Sequence, residues 1–164
     1  MKMLDNARIR YILLLFLLFL LVNAIVRSTL LVASGSSREI MQIFVAGFLN
    51  DVLAWVFMGI PAVGLTALWR GAFRSRIGRG ICFTVFGMYC SFFLFTGLAE
   101  CFFWDEFGAR FNFIAVDYLI YTTEVIRNIF ESYPVVPLLA AVTAGGLLLA
   151  FMGGRFVLRA GKDG

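Results

Sequence analysis

The sequence predicts an all-α integral membrane protein with four transmembrane helices and an amphipathic interfacial helix on the outer face. Three observations predict this fold class. Hydrophobic residues make up 62% of the 164-residue chain, and the mean hydropathy is +0.93. Soluble domains average about 45–50% apolar residues. Four apolar runs are long enough to cross a bilayer, and most of the basic residues lie at the ends of those runs.

The four apolar runs define the predicted spans, because a transmembrane helix needs about 20 predominantly apolar residues. They cover roughly residues 11–33, 42–69, 81–99 and 136–158 of a single membrane domain. Pro61 lies in the middle of the second run and predicts a kink there. The fourth run contains small residues that favour close helix packing, namely Ala140, Ala141, Ala144 and Gly145. A cleaved signal peptide is the alternative for the first run, although that apolar core is longer than the usual 7–15 residues.

The positions of Lys and Arg predict how the chain is oriented in the membrane. Ten of the 14 basic residues lie in the first ten residues, in the loop 70–79 and in the tail 155–164. Because cytoplasmic connections carry an excess of Lys and Arg, both termini are expected in the cytoplasm. The outer segment 100–135 then faces the opposite side. The net charge of +4 is explained by these positions, and no nucleic-acid-binding motif accompanies it, so no nucleic-acid partner is expected.

Two charged residues interrupt the predicted spans. Arg27 lies in the first span and Asp51 in the second. At 1.5 Å per residue, both lie roughly 10–15 Å below the outer surface, so we expect an ion pair, with Asn23 and Asn50 as candidate hydrogen-bonding neighbours. Intramembrane charges are usually paired or functional. Three interpretations stay open: a staple between two helices, a contact between Arg27 and the phosphate of an anionic lipid donor, and snorkelling of Arg27 to the interface.

The outer segment contains a predicted amphipathic helix over residues 114–133. At 100° per residue its polar residues form a stripe about 80° wide, which consists of Asp117, Tyr121, Glu124, Asn128 and Glu131. Because three carboxylates within the bilayer would be expensive, we expect this helix to lie in the outer interface or over the bundle. The stripe is interpreted either as a solvated face or as a surface for docking or lipid handling.

Residues with catalytic potential are scarce. The chain contains no His, and the acidic cluster Glu100, Asp105 and Glu106 matches no metal-binding motif. Ser and Thr residues lack a recognisable base with an orienting partner, and no Walker-type phosphate loop is present. We therefore assign no catalytic, cofactor-binding or metal-binding residue, and no cofactor, to this chain.

One stretch of the outer segment resembles a known family. The sequence WDEFGARFNFIAVDYLIYTTEVIRNIFESYP, residues 104–134, is similar to the segment before the last membrane spans of bacterial lipoteichoic acid synthase-like proteins. These are membrane-anchored members of the sulfatase/alkaline-phosphatase superfamily. The resemblance implies a bacterial plasma (inner) membrane protein of the cell envelope. It also implies a large extracytoplasmic domain that uses a divalent metal, typically manganese, to transfer phosphoglycerol or a related group from a lipid donor.

The resemblance covers the membrane part only, since the chain lacks the catalytic half. We therefore expect a truncated membrane anchor of such a transferase, not catalytic alone, with a catalytic domain supplied in cis or in trans. Its partners would be the bilayer, that domain and an anionic lipid donor. The alternative is a free-standing four-span protein with a structural or interaction role. A small transporter is a third interpretation, but no repeated broken-helix pattern supports it.

Overall fold

The computed structural model describes residues 2–35, 40–69, 73–109 and 122–159. Within these ranges, only the backbone is described for residues 2–6, 122, 124–126 and 156–159. These ranges form six helices and contain no strand. The helices are α1 (Lys2–Ser34), α2 (Ile40–Met58), α3 (Ile60–Leu68), α4 (Arg76–Phe107), α5 (Thr122–Ser132) and α6 (Val135–Arg159). Helices α1, α2, α4 and α6 are long and apolar enough to span a membrane. The chain is thus a multi-pass membrane protein by the length and composition of its helices.

Helices α1 and α4 run parallel to each other. Near the start of both helices, the hydroxyl of Tyr11 donates a hydrogen bond of 3.0 Å to the carbonyl oxygen of Cys82. Further along both, the ring centroids of Phe19 and Phe93 lie 5.1 Å apart. The contacts advance in the same direction along the two helices, so α1 and α4 begin on the same face of the bundle.

Helix α6 runs antiparallel to α4 and makes the most extensive contact in the structure. Gly146, midway along α6, lies against Ser91, whereas Gly154, near the end of α6, lies against Phe83. Because position rises on one helix as it falls on the other, α6 ends on the face where α1 and α4 begin. The starts of α1 and α4 and the end of α6 therefore share one end of the bundle, which we call the basic end.

Small residues allow α6 to pack closely on α4, and Gly145 is the member of the predicted set that lies at this contact. An added Cβ at Gly146 would lie 2.7 Å from the backbone nitrogen of Ser91, and Gly145 contacts Leu94. The predicted contributions of Ala140, Ala141 and Ala144 are wrong, because these three residues are exposed. The contact face continues from Gly145 and Gly146 toward the end of α6, through Ala150, Gly153 and Gly154.

The second apolar run is divided into α2 and α3 at Gly59. The amide of Gly59 still donates to the carbonyl of Trp55 at 2.7 Å, whereas Pro61 lies in the first turn of α3. Proline has no N–H and is tolerated in a first turn, so the interruption precedes it. The hydroxyl of Tyr89 donates a 2.7 Å bond to the carbonyl of Met58, which links α4 to the end of α2.

Candidate functional site

The structure brings Arg27 of α1 and Asp51 of α2 together inside the bundle. Nη2 of Arg27 lies 2.8 Å from Oδ2 of Asp51, and the two side chains are 5% and 10% exposed. The segment between α1 and α2 is short, so the helices are antiparallel neighbours that place residues of similar depth side by side. The bond is short enough for a charge-assisted hydrogen bond. The result is a buried ion pair between two predicted spans.

Two further residues of α2 surround the guanidinium. Its Cζ atom lies 5.7 Å from the ring centroid of Phe44, within the range of a cation–π interaction. Gly47 faces the same group so closely that an added Cβ would overlap the guanidinium. Phe44, Gly47 and Asp51 are spaced three and four residues apart, which places them on one face of a helix. Sequence reasoning missed Phe44 and Gly47, although this spacing relative to Asp51 was the available signal.

The neighbouring amides do not join the ion pair. The side chain of Asn23 donates instead to the carbonyl of Phe19 at 3.0 Å, within its own helix. Asn50 is exposed. Nε of Arg27 is buried and has no hydrogen-bond partner among the described residues. The guanidinium is therefore held by one carboxylate, one ring and the bare backbone at Gly47.

This geometry favours an interhelical staple over the other interpretations of Arg27. Removing a charge from water is expensive, and a buried pair tolerates it when the geometry is good. A snorkelling side chain would reach the interface, whereas Arg27 is 4% exposed. Contact with a lipid phosphate would require the guanidinium to leave its position against Gly47. In the arrangement observed, the pair connects α1 to α2.

The predicted acidic stripe is only partly covered by the structure. Asp117 and Tyr121 lie outside the described residues, and Glu124 is described for its backbone alone, within α5. Asn128 and Glu131 are exposed on α5. Glu131 lies 3.8 Å from Arg127 in an exposed pair, an arrangement that contributes little to stability.

The acidic residues near the end of α4 do not form a metal site in the described part of the chain. Glu100 is buried, at 8% exposure, whereas Asp105 and Glu106 are exposed. Among the described residues, no three His, Cys, Asp or Glu side chains converge closely enough to hold a metal ion. The three cysteines, all on α4, are free thiols, with Cys82 and Cys90 buried.

A lateral groove of about 880 Å³ lies beside the break between α2 and α3. Its other walls come from α4 and α6. Four hydroxyl groups line it among apolar side chains, namely those of Thr84, Tyr89, Ser91 and Thr143. Tyr89 lies 13 residues into α4, about 20 Å along the helix axis. The groove is therefore at mid-span depth, where lipid acyl chains lie.

Comparisons of this chain with protein-family models, with curated proteins and with solved structures find no match.

Proposed function

We propose that the chain forms the membrane anchor of a lipoteichoic acid synthase-like phosphotransferase of the bacterial cell envelope. The observation that supports this proposal most directly is the resemblance over residues 104–134, which begins in the last turn of α4 and ends just before α6. The chain itself contributes no recognisable catalytic group. Its role is to hold a catalytic domain, supplied in cis or in trans, at the outer face.

The arrangement of the helices supports the orientation in this proposal. The basic end gathers ten basic and two acidic residues, counted over residues 1–10, 70–79 and 155–164. By the excess of basic residues on the inner side, this end faces the cytoplasm and residues 100–135 face outward. Helix α5 then lies at the outer surface as an amphipathic interfacial helix, and Ile129 and Phe130, 43% and 56% exposed, supply an apolar face for the membrane.

The lateral groove gives this anchor a means of handling a lipid donor. Its walls are mostly apolar and several of its lining residues, such as Met88 and Phe92, are exposed on the side of the bundle. An acyl chain in the groove would keep the donor beside the bundle while its headgroup stays at the surface. The catalytic domain would then meet the headgroup at the outer face.

The test is to determine the reading frame downstream of codon 164 and the size of the membrane-bound product by immunoblotting in the source cells. The expected product is larger than 18.3 kDa and contains a sulfatase-type domain, or it co-purifies with one. An 18 kDa product that cross-links to no sulfatase-type partner would overturn the anchor proposal.

A free-standing four-span protein with a structural or interaction role is the second candidate. The Arg27–Asp51 pair is compatible with it, because the pair connects two helices and requires no substrate. The same experiment separates the two candidates, since this one predicts an 18 kDa product that cross-links to no sulfatase-type partner.

A further inference from the structure

Asn50 is a polar residue on the outward-facing side of α2. It lies ten residues after Ile40, where α2 begins, which is about 15 Å along the helix axis. The hydrocarbon core of a bilayer is about 30 Å thick, so the carboxamide lies near its middle. The side chain is exposed and has no hydrogen-bond partner among the described residues. Asn50 therefore presents an unsatisfied polar group to the lipid.

Polar side chains that face lipid on α1 are satisfied within their own helix. The exposed hydroxyls of Ser28 and Thr29 donate to the carbonyl oxygens of Ala24 and Ile25, at 2.8 and 3.0 Å. Acyl chains offer neither a donor nor an acceptor, and an unbonded amide in such surroundings is costly. The carboxamide of Asn50 would thus be stabilised by a polar group from outside the chain.

Asn50 lies at the centre of a regular stripe along α2. The members of this stripe are three and four residues apart in alternation, as in a heptad repeat, and they are Ile43, Ala46, Asn50, Leu53 and Phe57. All five are exposed, and Ile43, Leu53 and Phe57 are so by 37%, 62% and 74%. Asp51, which pairs with α1, points about 100° away from Asn50. The heptad stripe is therefore a face of α2 that α1 does not cover.

A second copy of the same helix is the partner that fits the heptad stripe. A carboxamide carries both donors and an acceptor, so two Asn50 side chains can bond to each other. In a parallel pair related by a twofold axis, each interface position meets its own copy, which places both carboxamides at one depth. Ala46, one turn before Asn50, is small enough for the two helices to approach closely. The bias of Lys and Arg toward the inner side gives both copies the orientation that a parallel pair requires.

We propose that the heptad stripe of α2 is the interface of a parallel homodimer, in which the two Asn50 carboxamides hydrogen-bond to each other inside the bilayer. A single Asn at such a position specifies the register of a coiled coil, so this pair also aligns the two copies. Phe57 borders the lateral groove as well, so the partner helix lies beside its opening. The interface lies outside residues 104–134, and the proposal is therefore independent of the anchor role.

The first test measures energy transfer between donor-labelled and acceptor-labelled full chains in phosphatidylcholine vesicles. Transfer should exceed the level of random collisions and should fall as lipid is added. Loss of the carboxamide pair in Asn50→Val should weaken dimerisation about ten-fold, whereas Asn50→Gln, which keeps a carboxamide, should dimerise within about three-fold of the unaltered protein. An Asn50→Val protein that dimerises as strongly as the unaltered one would overturn the proposal. Transfer at the random level throughout would show that lipid alone covers the stripe, and would overturn it too.

The matched test of the face uses two adjacent residues of α2. Ala46 belongs to the heptad stripe and Val45 does not, although both are exposed, so neither substitution disturbs packing within one copy. Ala46→Phe should weaken dimerisation roughly ten-fold by overpacking the interface, and Val45→Phe should change it by less than about two-fold. Equal losses in the two variants would place the interface elsewhere and overturn the proposal.

Disulfide formation tests the parallel arrangement. In a background with the three native cysteines replaced by Ala, Ile43→Cys introduces a thiol three residues into α2, near the membrane surface. Oxidation of isolated membranes should link this position to its own copy and give a product of twice the 18.3 kDa monomer, whereas Val45→Cys should stay monomeric. Equal cross-linking at both positions, or none at position 43, would contradict a parallel pair along this stripe.

Discussion

Gly47 of α2 faces the guanidinium of Arg27 with no space between them for a methyl group. The arginine crosses from α1 and lies over the backbone of α2 on its way to Asp51, four residues beyond Gly47. A side chain at position 47 would occupy the volume that the guanidinium now fills. The ion pair therefore depends on an uncharged residue that makes no polar contact with it.

Replacing Gly47 by Ala should break this arrangement. Because the guanidinium must move, Asp51 loses its partner, and breaking a buried pair destabilises a protein by about 3–5 kcal/mol. The measurement is the free energy of unfolding in mixed micelles. Gly64→Ala is the control, since no atom lies within 4 Å of the added group, and Ala raises helix propensity by up to about 1 kcal/mol. A Gly47→Ala protein as stable as the Gly64→Ala protein would contradict the prediction.

The ion pair itself should show strong coupling in a double-mutant cycle. Arg27→Met and Asp51→Leu each leave an uncompensated buried charge, so each should lower stability by about 3–5 kcal/mol, whereas the double variant should lie close to the original. The exposed pair Arg127–Glu131 is a control within the chain and should couple by about 0.5 kcal/mol or less. Single variants at positions 27 and 51 that lose less than about 1 kcal/mol would indicate a solvated or lipid-bound Arg27.

Two adjacent glycines of α6 should respond differently to the same substitution. At Gly146 the added methyl group would meet the Cα of Ser91 at 2.8 Å, which is backbone and cannot rotate away. At Gly145 it would meet a methyl group of Leu94 at 3.2 Å, which can adjust. Gly146→Ala should therefore lower stability by about 1–3 kcal/mol, and Gly145→Ala by less than about 1 kcal/mol. Equal losses would mean that α4 and α6 pack less closely than described.

The orientation of the bundle can be tested by cysteine labelling in intact cells. In a background with all three native cysteines replaced by Ala, Arg74→Cys and Glu106→Cys introduce exposed thiols before α4 and near its end. A membrane-impermeant maleimide should label position 106 but not position 74, because basic connections stay in the cytoplasm. Both positions should react once the cells are permeabilised. Labelling of position 74 in intact cells would reverse the proposed orientation.

The sequence allows the four apolar helices and the meeting of Arg27 with Asp51 to be anticipated, because both depend on simple lengths. The length of an apolar run shows whether its helix can span the bilayer. Counting residues from the short connection between α1 and α2 places Arg27 and Asp51 at a similar depth. These quantities change little with the details of packing. The parallel arrangement of α1 and α4 likewise follows from the single crossing that lies between them.

Features that depend on rotation about a helix axis could not be anticipated in the same way. The role of Gly47 depends on where a long side chain of another helix lies, and glycine itself gives no sign of it. Ala140, Ala141 and Ala144 are as small as the glycines that follow, but they face away from α4. Asn23 is close in sequence to Arg27, yet its own helix offers the nearer acceptor. The sequence shows which residues are small enough for close packing, whereas the rotation of each helix about its axis determines which of them face a neighbouring helix.

The grouping of the basic segments at one end also constrains how copies of this protein can be arranged in a membrane. In the sequence, segments 1–10, 70–79 and 155–164 carry ten basic and two acidic residues, whereas the connecting segments 34–41 and 100–135 carry three basic and seven acidic residues. A membrane potential that is negative on the inside favours the basic end on the inner side. Moving one positive charge across the membrane to the outside costs about 2.3 kcal/mol for each 100 mV. Insertion in the opposite orientation is therefore disfavoured. In the proposed orientation, neighbouring copies point the same way, and a twofold dimer would have its axis along the membrane normal.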